Sequence, residues 1–424
     1  MEGLSSGYKG LRPLDYIKIS ILGFALSALS NSMHTLILPV RVRELVGQAQ
    51  QSTYLGLITF AGLIIAMLVQ PVAGAISDRA GFRWGRRRPL IVLGSIAAIL
   101  LLLGMGAAAS YTAIFALWCL AQMSLNVAQG PFQAFIPDLV PPGKRGLASG
   151  VKNLIEIGGA AALALLIGFF MGRYLLDPNG PWLWLSLGVL GLILLAAMLA
   201  TLTIKEKPIS GISPLFSFSL LYECFRVNVK MRSWFILFLV SRLLFIMGYS
   251  TIQGFALYYF QDVVGFSNPA ELTASLVTAV GVAVLIAVYP AGRLSDKIGR
   301  RPLLIFSGLL AALGIAIIYL TRTYYVIIIA GSLIGIAAAT FLSANWALAT
   351  DLIPGEEAAR YLGLTNLATA GGAALARLIG PAIDFFNRQD AGLGYSVMLG
   401  ACFAYFIISS ILSWRIRGAS PVNA

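Results

Sequence analysis

Twelve apolar runs follow one another along this 424-residue chain, at 16–40, 54–76, 89–110, 112–136, 147–172, 181–203, 234–259, 270–292, 302–321, 324–350, 361–383 and 394–414. A helix of about 20 apolar residues crosses the ~30 Å hydrocarbon layer of a bilayer. No water in that layer satisfies backbone N–H and C=O groups, so each run must become a helix that bonds to itself. Barrel strands would alternate in polarity over about ten residues, and these runs do not. Only 11% of the residues are charged and 58% are hydrophobic, whereas a soluble domain carries about 25% charge. A large soluble enzyme is therefore excluded. The predicted class is an all-α polytopic membrane protein with twelve transmembrane helices.

The net charge of +13 does not imply nucleic acid. The basic residues form short clusters between apolar runs, which is the pattern that sets membrane topology. With the N-terminus inside, five of the 30 basic residues fall in outward loops (Arg41, Arg43, Arg173, Arg322 and Arg388) and three within spans (Lys152, Arg242 and Arg377); the remaining 22 face inward. Both termini and the longest loop are thus expected in the cytoplasm, and the first apolar run is too long for a cleavable signal. Cys119 and Cys402 lie in spans and Cys224 in a basic loop, a spacing that suggests neither disulfide nor metal site.

That longest loop, 204–233, divides the chain into an N-terminal six-helix bundle (1–203) and a C-terminal one (234–424). The halves are repeats. "GAISDRAGFRWGRRRPL" (Gly74 to Leu90) aligns with "GRLSDKIGRRPLL" (Gly292 to Leu304), with Gly74 and Asp78 matching Gly292 and Asp296 at an offset of 218. The first copy is five residues longer before its proline, and the offset falls to 213 thereafter: Pro89 matches Pro302, "PDLVP" from Pro137 matches "TDLIP" from Thr350, and Asn153 matches Asn366. A repeat of six helices is typical of transporters whose substrate site lies between the halves near the bilayer midplane.

The segment G-x-x-x-D-[RK]-x-G, present twice and followed by basic residues (Arg300 and Arg301 directly in the second copy, Arg86 to Arg88 after an insertion in the first), resembles the signature loop of the major facilitator superfamily. The resemblance spans the chain and implies two pseudo-symmetric six-helix bundles rocking about a central cavity. It also implies gating roles for Gly74, Asp78, Arg79, Gly81 and Arg86 to Arg88 (Arg86, Arg87, Arg88), and for Asp296, Lys297, Gly299, Arg300 and Arg301, with the aspartate meeting a helix terminus of the neighbouring segment. More finely, "QPVAGAISDRAGFRWGRRRP" and "NVAQGPFQAFIPDL" are similar to segments of plant sucrose–proton symporters and their glycoside-carrying relatives. Gln70, Pro71, Ser77, Asn126, Gln129, Gly130, Pro131 and Asp138 fit that pattern. Gln133 stands where those proteins carry arginine, and Gln122 where they carry a coupling acid. A further resemblance is to bacteriochlorophyll carriers of phototrophic bacteria; drug exporters share only the signature loop.

Polar residues inside spans are costly, so their placement carries information. Gln122, Asn126, Gln129 and Gln133 fall at i, i+4, i+7 and i+11, one stripe of a helix. Asn31 and His34 in the first span, Tyr249 and Gln253 in the seventh, Asn345 and Trp346 in the tenth, Asn366 in the eleventh and Asn153 in the fifth complete the expected substrate-binding set. The resemblance implies that spans 1, 4, 7 and 10 line the cavity; residues of these types also bond helices together. Lys152, Glu156 and Arg242 form the expected proton-coupling group. From Arg145, Lys152 lies about 10 Å and Glu156 about 16 Å into the bilayer, and Arg242 about 15 Å in from Arg232. The repeat partners of Lys152 and Glu156 are Thr365 and Thr369, so the fold does not demand charges there. The pair serves either as a self-neutralising structural contact or as a titrating site. Arg377 is expected to snorkel outward.

These features together predict a secondary active transporter of a polar organic solute, with proton-coupled sugar or glycoside symport by alternating access as the leading reading. The alternatives are an exporter of amphipathic compounds and a tetrapyrrole carrier. No nucleophile–histidine–acid set, metal cluster or nucleotide loop suggests an enzyme or a cofactor. Protons and a small solute are the expected partners, the bilayer the surroundings, the cell membrane the location and a monomer the working state.

Overall fold

The computed structural model describes residues 13–79, 85–204, 233–352 and 358–416. Gly81 and nearly all of the central loop lie outside them. The described residues form helices joined by short turns: α1 (Leu14–Val46), α2 (Gln48–Arg79), α3 (Arg88–Ala107), α4 (Tyr111–Leu139), α5 (Arg145–Leu176), α6 (Trp182–Leu202), α7 (Trp234–Val264), α8 (Pro269–Ile298), α9 (Arg300–Leu320), α10 (Tyr324–Leu352), α11 (358–387) and α12 (Leu393–Arg415). Eleven of them are long and apolar enough to cross a membrane without interruption. The remaining one, α11, is broken by a tight turn at Ala376–Ile379.

Pairing within the halves follows the repeat. α3 packs on α4 and α6, and α6 on α1; six helices later, α9 packs on α10 and α12, and α12 on α7. Small residues permit this closeness. A Cβ on Gly308 of α9 would lie 2.0 Å from Ser410 Oγ of α12, and one on Gly94 of α3 would lie 2.5 Å from the Ser124 carbonyl of α4. Phe245 of α7 stacks on Phe341 of α10 with ring centroids 3.8 Å apart.

Two compact units emerge. One draws on the described parts of Met1–Ser32, Ile64–Leu163 and Asn179–Arg226. The other holds Met33–Leu63, Ala164–Pro178 and the described residues from Val227 onward. The second unit therefore joins the second sequence half to one end each of α1, α2 and α5.

Two expectations change. The first span does not end at residue 40: it passes through a π-turn at Met33–Ile37 and continues helically through Leu38–Val46. Arg41 and Arg43 can sit in that turn-rich end because their charges are met, Arg41 by Glu44 and Arg43 by Asp262. Nor does Arg377 snorkel outward. The turn at Ala376–Ile379 directs its guanidinium against Gly254 of α7, where the absent side chain leaves space, and the residue is 5% exposed.

Candidate functional site

The signature turn between α2 and α3 is an ionic knot. Arg87, the residue before α3, is 3% exposed and places Nη1 2.7 Å from Asp78 Oδ1 and Nη2 2.8 Å from Asp138 Oδ2. Arg86 reaches the same Asp138 oxygen at 2.5 Å. A single buried arginine thus ties the end of α2 to the end of α4, and Asp78 meets the start of α3 through it. Asp138, legible in the sequence only as part of a matching segment, is the centre of the knot. In the second copy, Arg300 pairs with Asp296 one turn earlier. Arg88 donates to the Ile204 carbonyl just past α6, and its repeat counterpart Arg301 donates to the Trp414 carbonyl in the last turn of α12. Gly85 and Gly299, each opening an arginine run, have φ of +113° and +92°, a region that favours glycine. Arg79 lies in the last turn of α2 and Lys297 in that of α8.

Of the paired glycines where α2 and α4 cross, Gly130 is the tight one. A Cβ there would lie 2.6 Å from the Gln70 carbonyl and 2.8 Å from the Gly74 nitrogen; a Cβ on Gly74 would meet the Gly130 carbonyl at 3.9 Å, an ordinary contact.

In α5, Lys152 Nζ lies 3.3 Å from Glu156 Oε1, the side chains being 20% and 14% exposed. The carboxylate rests against α1, close enough that a Cβ on Gly23 would come within 1.8 Å of Oε1. Lys152 sits 5.9 Å from the Phe132 ring centre. The acid is thus half-buried among an apolar ring, a glycine backbone and one lysine.

Arg242 of α7 has different surroundings. Its Nε donates to Thr369 Oγ1 of α11 at 2.7 Å, its Nη1 donates to Asn345 Oδ1 of α10, and its guanidinium lies 5.7 Å from the Trp346 ring centre. No carboxylate of the described residues pairs with it. Asn345, called for substrate, is fully buried, and its Nδ2 has no partner among the described residues.

The four-amide stripe of α4 divides. Gln122 and Asn126 are buried, and Asn126 Nδ2 donates to the Gln122 carbonyl at 2.8 Å. Gln129 keeps a buried Oε1 with no partner among the described residues, and Gln133 is exposed. Asn153 and its counterpart Asn366 are both exposed, whereas Asn31, Tyr249 and Gln253 are partly buried. His34 lies in the π-turn of α1, a local geometry common at functional sites.

Sequence reading missed one network. Arg43 Nη1 lies 2.6 Å from Asp262 Oδ1; Gln51 Nε2 and Tyr395 Oη donate to Asp262 Oδ2 at 2.5 and 2.6 Å. Asp262 lies in a second π-turn, Phe260–Val264. Nearby, the Asp384 carboxylate of α11 accepts the N–H groups of Ser52 and Thr53, in the first turn of α2, at 3.2 and 2.7 Å. These contacts join the two sequence halves inside the second unit. The only sequence signal was an acid at each of two span ends.

The chain matches the model of the Major Facilitator Superfamily over residues 20–376 and 268–423. It is 26% identical over 307 residues, 69% of each chain, to the multi-drug resistance efflux pump PmrA of Streptococcus pneumoniae. A shorter match of 29% over 148 residues, 30% of this chain and 23% of the other, is to the sucrose transport protein SUC3 of Arabidopsis thaliana. Its fold resembles a crystal structure of a D-xylose-proton symporter, with TM-score 0.71 and 16% identity over 96% of this chain and 98% of that one. Among the described residues, the helix pairing repeated between the two sequence halves agrees with the match. The chain belongs to the major facilitator superfamily and is an integral membrane transporter of small molecules.

Proposed function

We propose that this transporter is a proton-coupled symporter of a sugar or glycoside, working by alternating access in the cell membrane with both termini and the loop 204–233 in the cytoplasm. The halves 1–203 and 234–424 are the bodies that rock. The observation that carries the reading is the Lys152–Glu156 pair, 3.3 Å apart and half-buried inside a membrane helix. Intramembrane ionisable groups mark ion and substrate pathways. Desolvation favours the neutral acid and a neighbouring cation favours the carboxylate. Both side chains stand on one helix, so rocking acts by changing their hydration and rotamers: a state that turns Lys152 away from Glu156 loads a proton, and its return releases it. The buried amides of Gln122 and Asn126, with the buried Oε1 of Gln129, suit a hydroxyl-rich solute. Similarity to the sucrose and D-xylose carriers supports the same class.

Glu156→Gln keeps the shape and removes the charge. In proteoliposomes this variant is expected to exchange substrate at equilibrium but not to accumulate it under an imposed proton gradient. Full proton-driven accumulation would return Lys152–Glu156 to a structural role and move the search to His34. A second reading, export of amphipathic compounds, is favoured by the longer similarity to PmrA. It predicts outward movement of a cationic dye and no sugar uptake in the same vesicles.

A further inference from the structure

Arg242 is a permanent cation inside a membrane helix, and no carboxylate of the described residues neutralises it. The residue is 5% exposed, and its contacts are a threonine hydroxyl, an amide oxygen and an indole ring. The Thr369 hydroxyl spends its own proton on the Thr365 carbonyl at 3.0 Å, so it can only accept from Nε. Nη2 has no partner among the described residues. Beside it, the fully buried Asn345 amide spends Oδ1 on Arg242 and leaves Nδ2 unmet. Burying a charge without a counter-charge costs several kcal/mol, and a buried amide donor without an acceptor costs about 1–3 kcal/mol more. One kind of guest would meet both deficits, an oxyanion that takes hydrogen bonds from the guanidinium and the amide. A planar guanidinium held at Nε and Nη1 is already oriented for carboxylate or phosphate, which it recognises through paired N–H groups.

We propose that Arg242, Asn345 and Trp346 form the anion subsite of the transported solute, so that the substrate is an acidic sugar bearing a carboxylate or a phosphate monoester rather than a neutral sugar. This rests on the sugar-transport reading above and narrows it. Arg242 then acts on the substrate, while Lys152 and Glu156 handle the proton.

The test is counterflow into proteoliposomes by the full-length protein, with glucuronate, glucose 6-phosphate and glucose as separate probes. Wild type is expected to carry at least one of the two acids at least ~10-fold faster than glucose, the size of one charge-assisted contact; which acid moves identifies the anion. Arg242→Gln is expected to remove that preference, and Arg242→Lys to retain part of it. Because Arg242→Gln can fail by misfolding, Asn345→Asp supplies a second arm. It gives Arg242 an internal carboxylate, and the expected result is loss of acid transport with the thermal midpoint unchanged or raised. Glucose carried as fast as both acids, or acid transport surviving both Arg242→Gln and Asn345→Asp, overturns the anion subsite and leaves sugar transport standing. Movement of none of the three sugars, with dye export intact, overturns the sugar-transport reading and the subsite together.

Discussion

At the scale of single residues, what matters is how each intramembrane charge is met. Lys152 and Glu156 meet each other one helical turn apart. Removing only the lysine leaves a carboxylate against an apolar ring and a glycine backbone, whereas removing both leaves neither charge. Lys152→Ala is therefore expected to be less stable than Lys152→Ala/Glu156→Gln, by on the order of 1–3 kcal/mol; this is below the 3–5 kcal/mol of a fully buried pair because both side chains keep some exposure. Thermal unfolding of the two variants in one detergent checks the order, and an equal or more stable single variant would mean that the pair adds nothing. Arg377 shows a different solution. Its guanidinium occupies the space that Gly254 leaves on α7, so a residue expected at the membrane surface is packed inside.

At the scale of helices, close approach is set by a few glycines and by the ionic knot. The signature motif includes Gly74, but the crossing of α2 and α4 depends on Gly130. Gly130→Ala forces a methyl group to within 2.6 Å of the Gln70 carbonyl, a backbone atom that moves only if the helices part. Overpacking of this kind costs about 1–3 kcal/mol. Gly74→Ala meets its neighbour at 3.9 Å and is expected to be near neutral. Tryptophan-fluorescence unfolding of the two variants should separate them in that order. Similar losses from both would refute the crossing geometry. Arg87 holds the same pair of helices ionically, at the ends nearest the signature turn, which gives α2 and α4 one steric and one electrostatic clamp.

At the scale of the whole molecule, the Asp262 network offers a test of the proposed cycle. It links Arg43 and Gln51 of the first half to Asp262 and Tyr395 of the second, so a cycle that moves the halves apart at this end must break it. Asp262→Asn weakens the ionic member while keeping the shape. A loss of about 1 kcal/mol moves a two-state equilibrium about fivefold. A cysteine placed at Gln253 is then expected to react faster with a membrane-impermeant maleimide applied from outside, and an unchanged rate would show that the network is not a latch. The orientation assumed there has its own check. Cysteines near Gln48 and Asp390 should label from outside in intact cells and cysteines within 206–230 should not; the reverse pattern would invert the topology.

The sequence by itself determined the class, the helix count, the repeat and the Lys152–Glu156 pair. Three of these are local quantities, and the repeat is a comparison of the chain with itself. An apolar run long enough to cross a bilayer must be helical, and residues four apart in a helix face one another whatever packs around them. Only the tertiary structure decided which partner each buried charge finds across helices: Arg87 with Asp138 across 51 positions, Arg242 with the neutral amide of Asn345 across 103, Arg43 with Asp262 across 219. It also decided that Arg43 belongs to a helix and that Arg377 is buried. The physical reason is that apolar composition specifies that a helix enters the membrane but not which face it turns to which neighbour. That choice follows from where small residues let backbones approach and where buried polar groups find partners, and both are properties of two helices at once.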